Sequence, residues 1–230
     1  MHLVMNMIDE LTARLLHEGA SEVGYSQITP PPEYAALPYA VSIVLHLSDA
    51  VIDTVKTAPT HTYFHHYRTV NAYLDRLALM TGLLLEQHGG RYVCIPASQS
   101  VSEFAGLFSH KAAAVAAGLG VIGRSALFLS DVFGPRVRLA TVLTDVDVSE
   151  GFRPLSQNNP CQNCRACVNA CPAMAITGMD YATGGNAILD RSACSTHMKQ
   201  AYQKIGRGAV CGICVSVCPA GRKKAKSAAN

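Results

Sequence analysis

The chain has 230 residues, nine of them cysteine, and a formal net charge of +3. Arg222, Lys223, Lys224 and Lys226 crowd the last nine positions, so the body is near neutral and a polyanion binder is excluded on charge alone. Apolar residues make up 49%, enough for a sizeable core, yet no apolar run reaches the roughly 18 residues of a membrane span.

Residues 4–18 place Val4, Ile8, Leu11 and Leu15 on one helical face, and Gly19 closes that helix. The stretch has no basic start followed by an apolar run, so no secretory signal is expected and the expected location is the cytoplasm. Residues 26–38 are proline-rich and read as a loop. Residues 40–47 (AVSIVLHL) are short, β-branched and apolar, as a buried strand is. Residues 62–88 predict a long helix, with Tyr73, Leu77, Met80 and Leu84 at helical spacing and Gly89 and Gly90 closing it. A second strand follows at 92–96, then an alanine-rich helix over 104–117 ended by Gly118. Strands at 126–130 and 136–144 flank a turn at 131–135. The alternation predicts an α/β layer domain over 1–150. A composition change near Glu150 opens a cysteine-rich domain over 151–221, and a basic, disordered tail is expected over 222–230.

Eight of the nine cysteines lie between Cys161 and Cys218. Without a signal peptide, clustered cysteines bind metal more often than they form disulfides. The first motif is Cys161-x2-Cys164-x2-Cys167-x3-Cys171-Pro172. This is the bacterial ferredoxin run, whose fourth cysteine ligates the other of two 4Fe–4S clusters. The second motif, Cys194-x16-Cys211-x2-Cys214-x3-Cys218-Pro219, is a stretched copy of the first. Symmetry then gives cluster one to Cys161, Cys164, Cys167 and Cys218, and cluster two to Cys171, Cys194, Cys211 and Cys214. Structural zinc also uses C-x2-C pairs, but as separated pairs rather than four-cysteine runs ending in Cys-Pro. Two adjacent clusters imply one-electron transfer.

A plain electron carrier needs no α/β domain twice the size of its cluster module. The segment His110-Lys111 through Ala117-Gly118-Leu119-Gly120-Val121-Ile122-Gly123-Arg124, then Phe133-Gly134-Pro135 and Leu143-Thr144-Asp145, resembles the epoxyqueuosine reductase family. That family joins a cobalamin-binding α/β domain to a two-cluster ferredoxin-like module and is related to the corrinoid reductive dehalogenases; this chain is a short form. The resemblance implies a cobalamin-reductase-like N-terminal domain and electrons passing from the clusters to cobalamin. The donor would be a ferredoxin or flavodoxin, the substrate an unknown small molecule. An alternative is a non-catalytic electron-transfer protein serving a separate corrinoid or flavin enzyme.

The family's proton-donating acid falls near Cys94 here, where there is no carboxylate, and its tRNA-gripping extension has no counterpart, so tRNA is not expected as substrate. Lone cysteines in apolar strands are usually buried small hydrophobes, which is the expectation for Cys94. Gly118, Gly120 and Gly123 would let backbone approach a planar ligand, or simply cap turns. Tyr63, His66 and Tyr67, among the polar and aromatic residues that open the long helix, either contact a corrinoid or form a solvated face. Ser98 and Gln99 either bind cofactor amides or cap the next turn.

Overall fold

A computed structural model describes residues 6–98, 106–206 and 210–222 of the chain. Gln99 and the expected tail from residue 223 onward lie outside the described residues. The chain divides into two compact units, each assembled from three separated segments. The first comprises residues 1–46, 70–119 and 138–156, and the second 47–69, 120–137 and 157–230. This differs from the contiguous division expected at residue 150. The cluster segment is continuous in sequence, but its packing unit also draws in a helix start and a β-hairpin from the N-terminal part.

In the first unit, α1 (Met7–His17) opens on Asn6, whose side chain accepts from the Asp9 N–H, and buries Ile8, Leu11 and Leu15. These are three of the four residues its periodicity singled out. A four-stranded sheet follows in the order β1-β2-β6-β3, with β1 (Glu22–Gln27), β2 (Tyr39–His46), β3 (Tyr92–Ile95) and β6 (Val137–Thr144). β1 pairs antiparallel with β2, and β3 with β6. β2 and β6 are buried almost along their whole length, which is why they read as unbroken apolar runs rather than alternating ones. β1 was not expected. Its Gly24 and Ser26 hide a strand pattern, and Gly24 is needed because a Cβ there would come 2.9 Å from Ala117 and Leu119.

α3 (His61–Gln87) matches the long helix expected from periodicity, and it buries Leu74 and Leu77. α4 (His110–Ala116) packs on β1 and β2. It begins later than the expected residue 104, because Ser109 is its N-cap and accepts from the Ala112 N–H. Leu37, Ala40, Ile95, Ala113 and Leu143 form one buried cluster between these elements.

The second unit holds the short α2 (Asp49–Ile52) and a hairpin of β4 (Gly120–Ile122) and β5 (Phe128–Ser130). Its remaining helices are α5 (Ala166–Ala170), α6 (Tyr181–Gly184), α7 (Arg191–Tyr202) and α8 (Ile213–Ser216). α5 and α8 pack against each other. Each carries the third cysteine of its run and stops just before the fourth, so the repeated motif produces a repeated loop-and-helix pair. The segment between the runs is tied back by a bridge from Ile176 to Leu189.

Candidate iron–sulfur centre

The electrostatic environment of the thiols sorts them into two quartets. Burial, reinforced by Cys161, Cys218 and Cys164, pushes the Cys167 thiol up to about 11. Burial likewise raises Cys218, with Cys161 and Cys164 beside it. In the other group, burial raises Cys194, with Cys211 and Cys171 adding to it, and raises Cys211, with Cys171 beside it. Cys214 is raised most, by burial first and then by Cys211, Cys194, Cys167 and Cys171. Only the Cys167–Cys214 influence crosses between the quartets, and α5 and α8, which carry these two residues, are packed together. These neighbours group Cys161, Cys164, Cys167 and Cys218 on one side and Cys171, Cys194, Cys211 and Cys214 on the other.

All of these cysteines are free and part-buried. Burial and neighbouring thiols favour the protonated form of Cys167, Cys194, Cys211, Cys214 and Cys218, so ionising these needs a strong cationic partner such as iron. Among the described residues no three His, Cys, Asp or Glu side chains gather tightly enough for one metal ion.

Arg124 makes a further fit to a cluster. It follows β4 and is 7% exposed. Its backbone N–H lies 3.4 Å from the Cys161 sulfur. Its guanidinium donates to the Cys164 carbonyl and, at 2.6 Å, to Asp180. Its Nε is buried with no acceptor among the described residues. Buried unpaired donors are rare and call for a missing partner, and cluster sulfides are acceptors. Gly123 lets this approach happen, since a Cβ there would sit 3.2 Å from Cys161 Sγ. Arg136 repeats the theme: its stem lies against Gly221, three residues after Cys218, and its Nε is also an orphan. Sequence reasoning found Arg124 only as part of a family pattern and missed its contact with Cys161, which joins residues 37 apart.

The second quartet is lined by rings. Tyr63, 5% exposed, covers Gly212 between Cys211 and Cys214. Phe64 lies against Gly206. The Tyr202 hydroxyl donates to the Thr57 carbonyl at 3.3 Å, and His197 meets the Tyr202 ring edge-on at 5.2 Å. His66 Nε2 accepts from the Ser48 N–H. The start of α3 is thus neither a bare solvated face nor an open ligand surface. Its aromatic residues pack on the cluster loops, and Tyr67 is half-buried.

The glycines expected to receive a planar ligand face their own chain. A Cβ at Gly118 would strike the Pro154 carbonyl, and one at Gly120 the Leu129 carbonyl across the hairpin. A Cβ at Gly123 would meet the Leu129 side chain at 2.5 Å. Their lack of side chains is accounted for without a ligand. Ser98 is exposed in the first unit. Cys94 pairs with Val142 in β3, and burial pushes its thiol up to about 11, as suits a packed thiol rather than a nucleophile.

Comparison with known proteins agrees with the cysteine geometry. Residues 160–221 match a family described as a 4Fe–4S double cluster binding domain. The chain is 31% identical to a tetrachloroethene reductive dehalogenase of Sulfurospirillum multivorans over 140 residues, which is 56% of this chain and 25% of that protein. It is 32% identical to an epoxyqueuosine reductase of Staphylococcus aureus over 123 residues, 51% of this chain and 30% of that one. The chain therefore spans well under half the length of these curated relatives. Among solved structures, a reductive dehalogenase described with a mechanism for B12-dependent dehalogenation superposes with a TM-score of 0.69 at 21% identity, covering 92% of this chain and 31% of its own. An epoxyqueuosine reductase with a tRNA-Tyr stem loop superposes with a TM-score of 0.59 at 20% identity, covering 94% and 65%. That neighbour removes the support for setting tRNA aside. No described helix is long and apolar enough to cross a membrane.

Proposed function

We propose that this chain, an epoxyqueuosine reductase-like protein related to the reductive dehalogenases, is an iron–sulfur oxidoreductase that passes single electrons through two four-iron clusters toward a corrinoid, for reduction of an unidentified substrate. The observation that carries this reading is the grouping of eight part-buried cysteines into two quartets in which the last cysteine of each run neighbours the earlier cysteines of the other run. Bound clusters supply one-electron chemistry. The chain's own residues hold them: the two quartets ligate, α5 and α8 keep them adjacent, and Tyr63 and Tyr202 keep water from the second. Burial of the ligand loops lowers the local dielectric, so charges near them act strongly.

The corrinoid rests on the relatives alone. The packed Cys94 thiol, standing where the resembling family carries its proton-donating acid, favours a second reading, an electron-transfer protein that receives electrons from a ferredoxin or flavodoxin and hands them to a separate corrinoid or flavin enzyme. One experiment tests both layers. Anaerobically prepared protein is analysed for iron and sulfide, then titrated with cobalamin. About eight irons per chain with a stoichiometric shift of the corrinoid spectrum supports the leading reading. Eight irons with no spectral change and no retention on desalting leaves the electron-transfer protein. Zinc in place of iron overturns both.

A further inference from the structure

We propose that Arg124 is the residue that sets the two clusters apart in potential, holding cluster one, that of Cys161, Cys164, Cys167 and Cys218, above cluster two. The inference rests on the two-cluster reading and adds the site at which an entering electron settles. Its basis is an asymmetry between equivalent loops. At cluster one, the loop from Cys161 to Cys164 receives a backbone N–H on the Cys161 sulfur and a guanidinium on the Cys164 carbonyl. Both come from one residue that is 7% exposed. At cluster two, the equivalent Cys211–Cys214 loop likewise has a backbone N–H on its first sulfur, from Ile213 to Cys211, but the neutral ring of Tyr63 covers it at Gly212 where cluster one has a guanidinium.

Reduction adds one negative charge to a cluster. A buried cation and N–H donors to sulfur stabilise that charge, and both raise the potential. Asp180 pairs with Arg124, but its side chain is 50% exposed against 7% for the arginine. Water therefore screens the carboxylate more than the guanidinium, and a net positive influence is left at the cluster. The buried Nε of Arg124 has no acceptor among the described residues, which leaves it available to the cluster. When the oxidised pair takes up one electron from an external one-electron donor, the electron resides on cluster one, which is reduced, and cluster two stays oxidised.

The test is redox titration of the anaerobic full chain, with dithionite as reductant and paramagnetic resonance following each cluster. Cys171→Ala identifies the cluster-two signal. Arg124→Met should make cluster one harder to reduce by about tenfold in the reduced-to-oxidised ratio at fixed poise, about 59 mV for one electron. Asp180→Asn should shift it by a smaller factor in the opposite direction, and Arg124→Lys should restore most of the wild-type value. A purely structural role would not give shifts of opposite sign. If Arg124→Met fails to retain cluster one, Asp180→Asn decides alone. Intact clusters with unshifted potentials in these variants, or shifts confined to cluster two, overturn the inference and leave the oxidoreductase reading standing. Protein without iron overturns both.

Discussion

The ring of Tyr63 lies directly over Gly212, close enough that a Cβ on the glycine would be 2.6 Å from the ring carbon Cζ. Gly212 also has φ +80°, in the left-handed region. Gly212→Ala meets two penalties, about 1–2 kcal/mol for the backbone and a steric one that moves the ring or the loop. The variant should lose cluster two preferentially, with iron per chain falling toward half. Adding Tyr63→Leu should recover part of the loss. Full iron in Gly212→Ala would show that the ring does not fix this loop.

Ligand crossing predicts which signal a single cysteine removes. Cys171 stands in the first run, but its neighbours are Cys194, Cys211 and Cys214. Cys171→Ala should abolish the paramagnetic signal of cluster two, lower iron from about eight to about four, and leave the other signal intact. Loss confined to the Cys161 cluster would show that ligands do not cross.

Arg136 is 2% exposed and holds Asp49 at 2.6 Å and Asp53 at 2.8 Å, carboxylates that are 44% and 55% exposed. The charge at risk is therefore the arginine. Asp49→Asn with Asp53→Asn leaves a buried cation uncompensated and should cost up to about 3–5 kcal/mol, less what water recovers. Arg136→Met leaves two carboxylates that water can reach and should cost less. Denaturant midpoints of the iron-loaded proteins check the order of the two, and the reverse order would contradict this placement of the charge.

His110 predicts a pH dependence in the first unit. Its Nε2 donates to the Pro96 carbonyl and its Nδ1 meets Thr141 Oγ1, both at 2.9 Å. Burial, opposed by the Pro96 bond, holds its pKa below the usual 6.5. The folded state thus binds its proton less readily than the unfolded state does. Stability is full above about 6.5 and falls as pH drops toward the lowered value. The difference in denaturation midpoint between wild type and His110→Gln should therefore shrink as pH is lowered from about 8 to about 5. A difference independent of pH would mean that His110 does not titrate there.

The double-cluster domain was legible because the closely spaced cysteines of each run are local chemistry: two to three residues between thiolates is the reach of one loop. α3 was legible because 27 residues of helical period leave little room for another reading. β1 was hidden because Gly24 and Ser26 are small where the pattern expects large apolar residues, and they are small because α4 ends on them. The glycine segment was legible as a turn, but not in its purpose. Gly120 answers to Leu129 and Gly118 to Pro154, 36 residues away, and spacing does not report such partners. Replacing Gly120 with leucine would break the β4–β5 hairpin rather than block a ligand, so it is not a clean probe of corrinoid binding.

The exchange of the last ligand between the two runs also sets a timetable for maturation. Cluster two cannot be closed before Cys214 has been synthesised, nor cluster one before Cys218, four residues later. A ribosome adds that many residues in about a second or less. Until then the chain carries up to six unligated thiols, and the elements that cover them, the start of α3 and the β4–β5 hairpin, are already made. Completion of both ligand sets is thus a late and nearly simultaneous event. A chain stalled before Cys214 would present an assembly machinery with two incomplete sites rather than one finished and one pending.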